Sequence, residues 1–231
     1  MDLMDNFWEK YYNSKDIVGT PNLQRNVGRT KNGEPISEKV WNKSIEYIKS
    51  QIQLKQTDDI LEICCGNGMI LGELSKLCKS ACGIDYSKEL LTQLVEKYPN
   101  VRCFHSNVLE YKLDDNSYDK LILYFAAQHF DEKDLLKLIK TMITTTKSEG
   151  KILIGDVPDE YKKWDYILKP EHRYDYFNRI ENGTPMIGNW YSKEWFSALE
   201  YYIPNIRVEV QSQPDFMINS DWRFDVVITK L

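Results

Sequence analysis

The sequence has no block of like charge and no excess of basic residues: over 231 residues the formal charge is −5, with Lys, Arg, Asp and Glu interspersed. That removes the electrostatic footprint of a nucleic-acid or anionic-membrane binder and leaves a small molecule as the expected partner. No apolar run approaches the length that crosses a bilayer. The acidic start Met1-Asp2-Leu3-Met4-Asp5-Asn6 lacks the basic stretch and apolar core of an export signal. A cytoplasmic protein without membrane association is expected; the oligomeric state is left open. Cysteine is scarce and unevenly placed: Cys64, Cys65, Cys78, Cys82 and Cys103 fall in one stretch, with none in the second half. The odd number and the clustering argue against a disulfide framework, and no pair has the two-residue spacing of a tetrahedral zinc site. They are expected as small buried apolar side chains, with no metal. Repeats and low-complexity segments are also missing, which removes a solenoid.

What is present is an alternation of short apolar runs with helical patterns. Asp59 to Cys64, Ala81 to Asp85, Val101 to Phe104, Lys120 to Phe125 and Lys151 to Gly155 read as strands. Met69 to Leu77, Ser87 to Lys97 and Glu132 to Thr145 read as helices between them. Such alternation predicts a doubly wound α/β fold with a mostly parallel sheet and right-handed crossovers. After Asp156 the alternation stops, and residues 157–191, rich in Tyr, Trp and Pro, form an insertion too long for an ordinary connection. Ser192 to Tyr201 then reads as a helix, and Arg207 to Val210 and Phe224 to Thr229 read as strands joined by a hairpin-like link. That places one antiparallel strand, the last of seven, in the sheet. Residues 58–231 form the core of a single domain. Residues 1–57 supply a helix, Ile36 to Gln53, read as a helical lid behind a polar lead-in.

The strand that ends in Cys64-Cys65-Gly66-Asn67-Gly68 and opens into a helix makes a tight turn whose glycines let a nucleotide-like ligand approach the backbone. Asp85 ends the next strand, where a carboxylate can accept from ribose hydroxyls; Ser87 is the better cap of the following helix. Glu62, inside an apolar strand, must bond a backbone N–H of the turn or the cofactor's amino end, because burying it unpaired is costly. Gly66, Gly68 and Gly72 also echo a dinucleotide fingerprint. There the third glycine should stand three positions after the second, whereas Gly72 stands four after Gly68. Tyr11 and Lys15, spaced like a dehydrogenase pair, precede the motif instead of following it.

The segment Leu61-Glu62-Ile63-Cys64-Cys65-Gly66-Asn67-Gly68 resembles the first motif of class I S-adenosylmethionine-dependent methyltransferases. The resemblance continues at Gly83-Ile84-Asp85-Tyr86-Ser87, at Ser106-Asn107-Val108, at Ser117 to Ile122 and at Glu149 to Ile154. It covers Asp59 to Val157, with the last helix and strands plausible. It implies a Rossmann-like seven-stranded sheet and S-adenosylmethionine as cofactor, with S-adenosylhomocysteine as product. Glu62, Cys64, Gly66, Asn67, Gly68, Asp85, Tyr86, Asn107, Val108 and Tyr124 are the implied binding residues. Cys64 stands where the family often has glycine, which requires ordinary strand-end dihedrals there. Asn107 stands where it often has aspartate and can still accept from an adenine amino group.

For catalysis, His129, following the fourth strand at the carboxyl edge of the sheet, is the candidate base. His105 is expected to be structural. Tyr124-Phe125-Ala126-Ala127-Gln128 lacks the Asn-Pro-Pro-Tyr or Asp-Pro-Pro-Tyr sequence that marks amino-group methylases by resemblance, which favours an oxygen nucleophile. Arg25, Arg29 and Lys31, with His172, Arg173 and Arg179 from the insertion, are candidates to hold an anionic acceptor bearing a phosphoryl or carboxylate group, on a sugar, a phosphorylated or another anionic metabolite. Tyr11, Tyr12, Trp164, Tyr174, Tyr176, Phe177, Trp190 and Tyr191 are candidates to close a dry pocket over it. The rival readings are an NAD(P)-dependent oxidoreductase using the same turn and a catalytically silent cofactor-binding partner.

Overall fold

Strands buried on both faces must be apolar along their length, whereas edge strands alternate. The sheet follows that rule. β1 (Asp59–Ile63), β4 (Tyr118–Tyr124), β5 (Thr146–Pro158) and β7 (Arg223–Lys230) carry the apolar runs, from Ile152 onward in β5, and lie inside; β2 (Ser80–Asp85) lies beside β1. The outer strands are β3 (Arg102–His105) and β6 (Ile206–Ser212), whose exposed and covered residues intermix. The spatial order is β3-β2-β1-β4-β5-β7-β6. Strands β1 to β5 are mutually parallel, and β7 runs antiparallel to both β5 and β6. The expected seven-stranded sheet with its last strand reversed is therefore present.

This is a computed structural model, and it describes residues 3–14, 18–31 and 33–231, with side chains from residue 7 onward. Lys15, half of the Tyr11–Lys15 pair, lies outside the described residues.

Because successive strand residues face opposite sides, the sheet feeds two cores. Leu61, Ile63, Leu121, Leu123, Ile152 and Ile154 pack against α6 (Glu132–Thr145) and α9 (Lys193–Tyr202). Ile60, Ile122, Leu153 and Val227 pack on the other side. There they meet α3 (Glu38–Ile52), α4 (Leu71–Leu74) and α5 (Lys88–Lys97). The stretch read as a lid is thus a core helix: α3 buries Ile45, Ile48 and Ile52. The covering elements are instead α1 (Leu3–Tyr12) and α2 (Leu23–Asn26), joined to α3 by a small ribbon of Thr30–Lys31 and Glu34–Pro35. All five cysteines are free thiols; Cys65 and Cys82 are buried as expected, whereas Cys64, Cys78 and Cys103 are only half-buried.

Three expected elements differ in extent. The helix after the glycine turn is only α4 followed by a 3-10 turn, Ser75–Leu77, because the turn itself runs on through Ile70. The fifth strand starts at Thr146, its register shifting between Tyr118 and Lys120 of β4. The insertion is largely helical: α7 (Lys163–Ile167) and α8 (Pro170–Glu181), tied back where Asp159 pairs with Tyr191.

Gly72, one place too far along for a dinucleotide fingerprint, has a packing role. A Cβ there would sit 2.3 Å from the Tyr98 ring. Gly72→Ala is expected to cost about 2 kcal/mol in urea denaturation, since the ring must move out of a close-packed core. An unchanged midpoint would show that Tyr98 gives way freely.

Candidate active site

Three neighbouring strands end in the same unusual way. Cys64 after β1, Phe125 after β4 and Asp156 within β5 have φ of 56°, 59° and 58°. Left-handed backbone costs a non-glycine residue on the order of 1–2 kcal/mol, and such residues cluster at functional sites. The expectation of ordinary strand-end dihedrals at Cys64 is therefore corrected. The chain keeps the conformation glycine would adopt there and carries a cysteine in it, held by the core packed around its side chain.

From this bend the turn passes through Gly66 and Gly68, with φ of 52° and 70°. Asp85 fixes it: its carboxylate accepts from the N–H of Gly66 at 2.7 Å and from that of Ser87 at 2.8 Å. Ser87 caps α5 by accepting from Leu90 N–H, as expected. Asn67 is buried and donates to the Leu23 carbonyl at 2.9 Å and to Gln93 at 3.2 Å, locking the turn to α2 and α5. Glu62 accepts from Leu71 N–H at 3.0 Å, so the start of α4 is held by a buried carboxylate. Burial pushes Glu62 up to about 8 and Asp85 up to about 6, the nearby Arg29 charge partly opposing the shift at Glu62.

These residues line one cavity of about 540 Å³, in the range of small-molecule and cofactor sites. Nine of the ten residues read as cofactor-binding face it: Glu62, Cys64, Gly66, Asn67, Asp85, Tyr86, Asn107, Val108 and Tyr124. Gly68 does not; a Cβ there would meet Leu94 at 2.7 Å, so that glycine serves packing between turn and α5. Asn107 accepts from Leu109 N–H at 3.0 Å, shaping the loop after β3. His105, expected to be structural, lines the cavity while its Nε2 meets the Tyr86 carbonyl at 2.9 Å.

Comparison with known proteins bears on the same region. A family model described as a methyltransferase domain matches residues 60–150. Over that stretch, which holds the glycine turn and Asp85, the chain is similar to a methyltransferase domain. A demethylmenaquinone methyltransferase of Staphylococcus aureus is 29% identical over 121 residues, 50% of this chain and 48% of that protein. Another from Bacillus licheniformis is 27% identical over 99 residues, 40% of this chain and 42% of that one. The chain thus spans less than half the length of the curated relatives it matches. Phosphoethanolamine N-methyltransferase 1 of Haemonchus contortus, solved with phosphoethanolamine and S-adenosylhomocysteine, superposes with a TM-score of 0.72 at 11% identity, over 99% of this chain and 49% of that one. Magnesium protoporphyrin IX methyltransferase of Synechocystis PCC 6803, solved with S-adenosylhomocysteine, superposes at 0.64 and 11% identity, over 99% of this chain and all of that one. At such identities the structures share the fold.

On the side away from the glycine turn, α1 roofs the cavity. Trp8 and Tyr12, one turn apart, pack edge-on to His129, with ring centroids 4.5 and 5.9 Å away. Burial and the Arg223 charge push His129 down to about 3, so its imidazole is neutral near pH 7. Its Nδ1, with Trp8 Nε1, Asn67 Oδ1 and Tyr86 Oη, is a buried polar atom of the lining residues that has no partner among the described residues. Buried polar atoms are ordinarily satisfied, so four orphans, each with under 1 Å² accessible, set this wall apart from ordinary core packing.

Of the residues read as acceptor-binding, Tyr12 and Arg29 line this cavity, whereas Tyr11, Arg25, His172, Arg173 and Trp190 do not. Tyr11 stacks on Phe7 at the surface, and Arg25 pairs with Glu34 at 2.8 Å. His172 stacks on Tyr166 with centroids 4.0 Å apart, Trp190 packs on Trp222, and Arg173 is exposed on α8. None of residues 157–191 faces the cavity, so the insertion is not its wall. The sequence reading missed Trp8; the i, i+4 pairs Phe7–Tyr11 and Trp8–Tyr12 on one short helix were the available signal.

Arg29 is held too firmly to act as a free clamp. It pairs with Asp156 at 3.0 Å, both nearly inaccessible, and lies over the rings of Tyr124 and Phe125 at 4.6 and 4.4 Å. Arg223 covers Phe125 at 4.6 Å and donates to the Asp156 carbonyl. Asp225 accepts from Asp156 N–H at 2.7 Å and from Tyr47 at 2.9 Å. This buried network fastens the N-terminal segment to the bent ends of β4 and β5.

Proposed function

We propose that the protein transfers a methyl group from S-adenosylmethionine to a small-molecule acceptor, leaving S-adenosylhomocysteine. The observation that carries this reading is one cavity joining the Glu62–Asn67 turn and Asp85 to the aromatic roof of Trp8, Tyr12 and His129. S-adenosylmethionine would supply an electrophilic methyl group. Asp85, Tyr86, Asn107 and Val108 would hold its nucleoside end, and Glu62 with Asn67 its amino-acid end. Trp8 and Tyr12 exclude water from the reacting centre. Aligning two bound reactants for in-line displacement is worth up to roughly 7–11 kcal/mol, so positioning by these walls supplies much of the rate.

The acceptor we infer is a small hydroxyl-bearing molecule that is neutral or cationic. The earlier anionic expectation rested on arginines that stand outside the cavity or are already paired, whereas Glu9, Glu110 and Asp134 contribute carboxylates to the lining. His129, which lines the cavity and is neutral near pH 7, would accept the hydroxyl's hydrogen bond, help that a hydroxyl needs more than a neutral amine does.

Calorimetric titration with S-adenosylhomocysteine and NADH tests the cofactor: micromolar binding of the first alone is expected, and the reverse preference would sink the reading. Radiolabelled donor mixed with pooled cell metabolites separates an enzyme from a silent partner, which would label nothing. His129→Ala should lower the rate about 100-fold, evenly from about pH 5 to 9, because a histidine titrating near 3 stays neutral throughout. A wild-type rate in that variant removes His129 from catalysis.

A further inference from the structure

The insertion presents an apolar surface that the methyl-transfer reading does not use. Tyr174, Phe177 and Ile180 of α8 are 78%, 56% and 57% exposed; Trp164 and Leu168 in the segment before it are also exposed, Trp164 packing edge-on to Tyr176. Large apolar side chains bared together mark an interaction surface more often than chance placement. Residues three and four apart share a helix face, so Pro170, Arg173, Tyr174, Phe177, Ile180 and Glu181 form one stripe, every member exposed. The opposite face, with Asp175, Tyr176 and Arg179, is turned toward the protein or internally paired.

The order of that stripe is palindromic about Phe177. Three residues away on either side stand Tyr174 and Ile180, and four residues away stand Arg173 and Glu181. Arg173 and Glu181 form no ion pair with any described residue of their own chain. A two-fold axis through Phe177 would lay α8 antiparallel to a second α8. Arg173 of one copy would then stand level with Glu181 of the other, and Tyr174 level with Ile180. Isologous interfaces require this self-complementarity, in which residue i meets j and j meets i. An unrelated partner, lipid or protein, would have no reason to match a charge pattern that neutralises itself.

We propose that the protein forms a symmetric dimer through antiparallel pairing of α8, with Phe177 on the axis. The pairing leaves the cavity mouth free, since no residue of the insertion lines it.

Sedimentation equilibrium over micromolar to hundreds of micromolar protein should show twice the chain mass, and Phe177→Asp should return it to a single chain with unchanged circular dichroism. Arg173→Glu should weaken the dimer at least tenfold, and Arg173→Glu with Glu181→Arg should restore it. Under mild oxidation Phe177→Cys should cross-link to its own copy, whereas Tyr201→Cys, exposed elsewhere on α9, should not. A single-chain mass throughout the range overturns the proposal, as does a dimer indifferent to Phe177→Asp or a double variant that fails to recover.

Discussion

Asp85→Ala is expected to weaken S-adenosylhomocysteine binding more than about 100-fold, roughly 3 kcal/mol, the value of two charge-assisted hydrogen bonds. The carboxylate has two tasks at one place. It holds Gly66 N–H at 2.7 Å, keeping the turn open in its left-handed form, and it lies in the cavity floor where ribose hydroxyls would be received. Asp85→Asn keeps an acceptor for only one of the Gly66 and Ser87 N–H groups, which bond different carboxylate oxygens, and sets its NH2 against the other, so it should lose both stability and affinity. Calorimetry alongside thermal denaturation separates the two effects; full affinity in Asp85→Ala would remove this residue from the site. The pH dependence has a definite sign. Burial raises the Asp85 carboxyl to about 6 in the free protein, so the ionised form that accepts from hydroxyls is lost as pH falls through 6, and affinity should fall with it. Glu62 is raised from 4.5 to about 8, so its contribution to stability is fully present below 4.5 and is lost as pH rises toward 8. A cationic ligand end that favours the ionised Glu62 should release a proton on binding near pH 7. Titrations in buffers of different ionisation heat read that release directly.

Arg29→Ala should cost about 3 kcal/mol of stability, because it strands a buried carboxylate. Asp156, in left-handed backbone at the bend of β5, depends on Arg29 at 3.0 Å for its nearest charge partner; Arg223 is 3.9 Å away and softens the loss. Arg29→Lys should recover little, since an ammonium cannot lie flat between the Tyr124 and Phe125 rings. Urea denaturation gives the magnitude, and limited proteolysis shows whether α2 and its neighbours detach from the sheet. A variant as stable as the wild type, with the N-terminal segment equally protected, would mean that this ion pair offsets only its own desolvation.

The strands and most helices were legible because each is written in local terms. Ile60, Leu61, Ile63 and the run from Leu121 to Tyr124 carry the continuous apolar pattern of strands covered on both faces, and Ser37, Ser87, Asp131 and Ser192 stand as helix caps. The turn was legible for the same reason: glycine spacing, Glu62 and Asp85 report backbone geometry within a short stretch. The insertion misled because aromatic composition does not say which way a helix faces. Trp190 and His172 found partners in Trp222 and Tyr166, outside the cavity lining. Cys64 misled differently: propensity disfavours left-handed cysteine, and only the packed ends of three strands over-determine it.

By itself the sequence determined the α/β alternation, the reversed last strand and the floor of the cavity, since periodicity, capping and turn chemistry act between near neighbours. The tertiary structure decided everything that depends on distant segments meeting. It set Trp8 and Tyr12 over His129 and spent the charge of Arg29 on Asp156. It also turned the insertion's aromatic stripe outward, because burial, orientation and charge pairing are settled only when the whole chain competes for the same space.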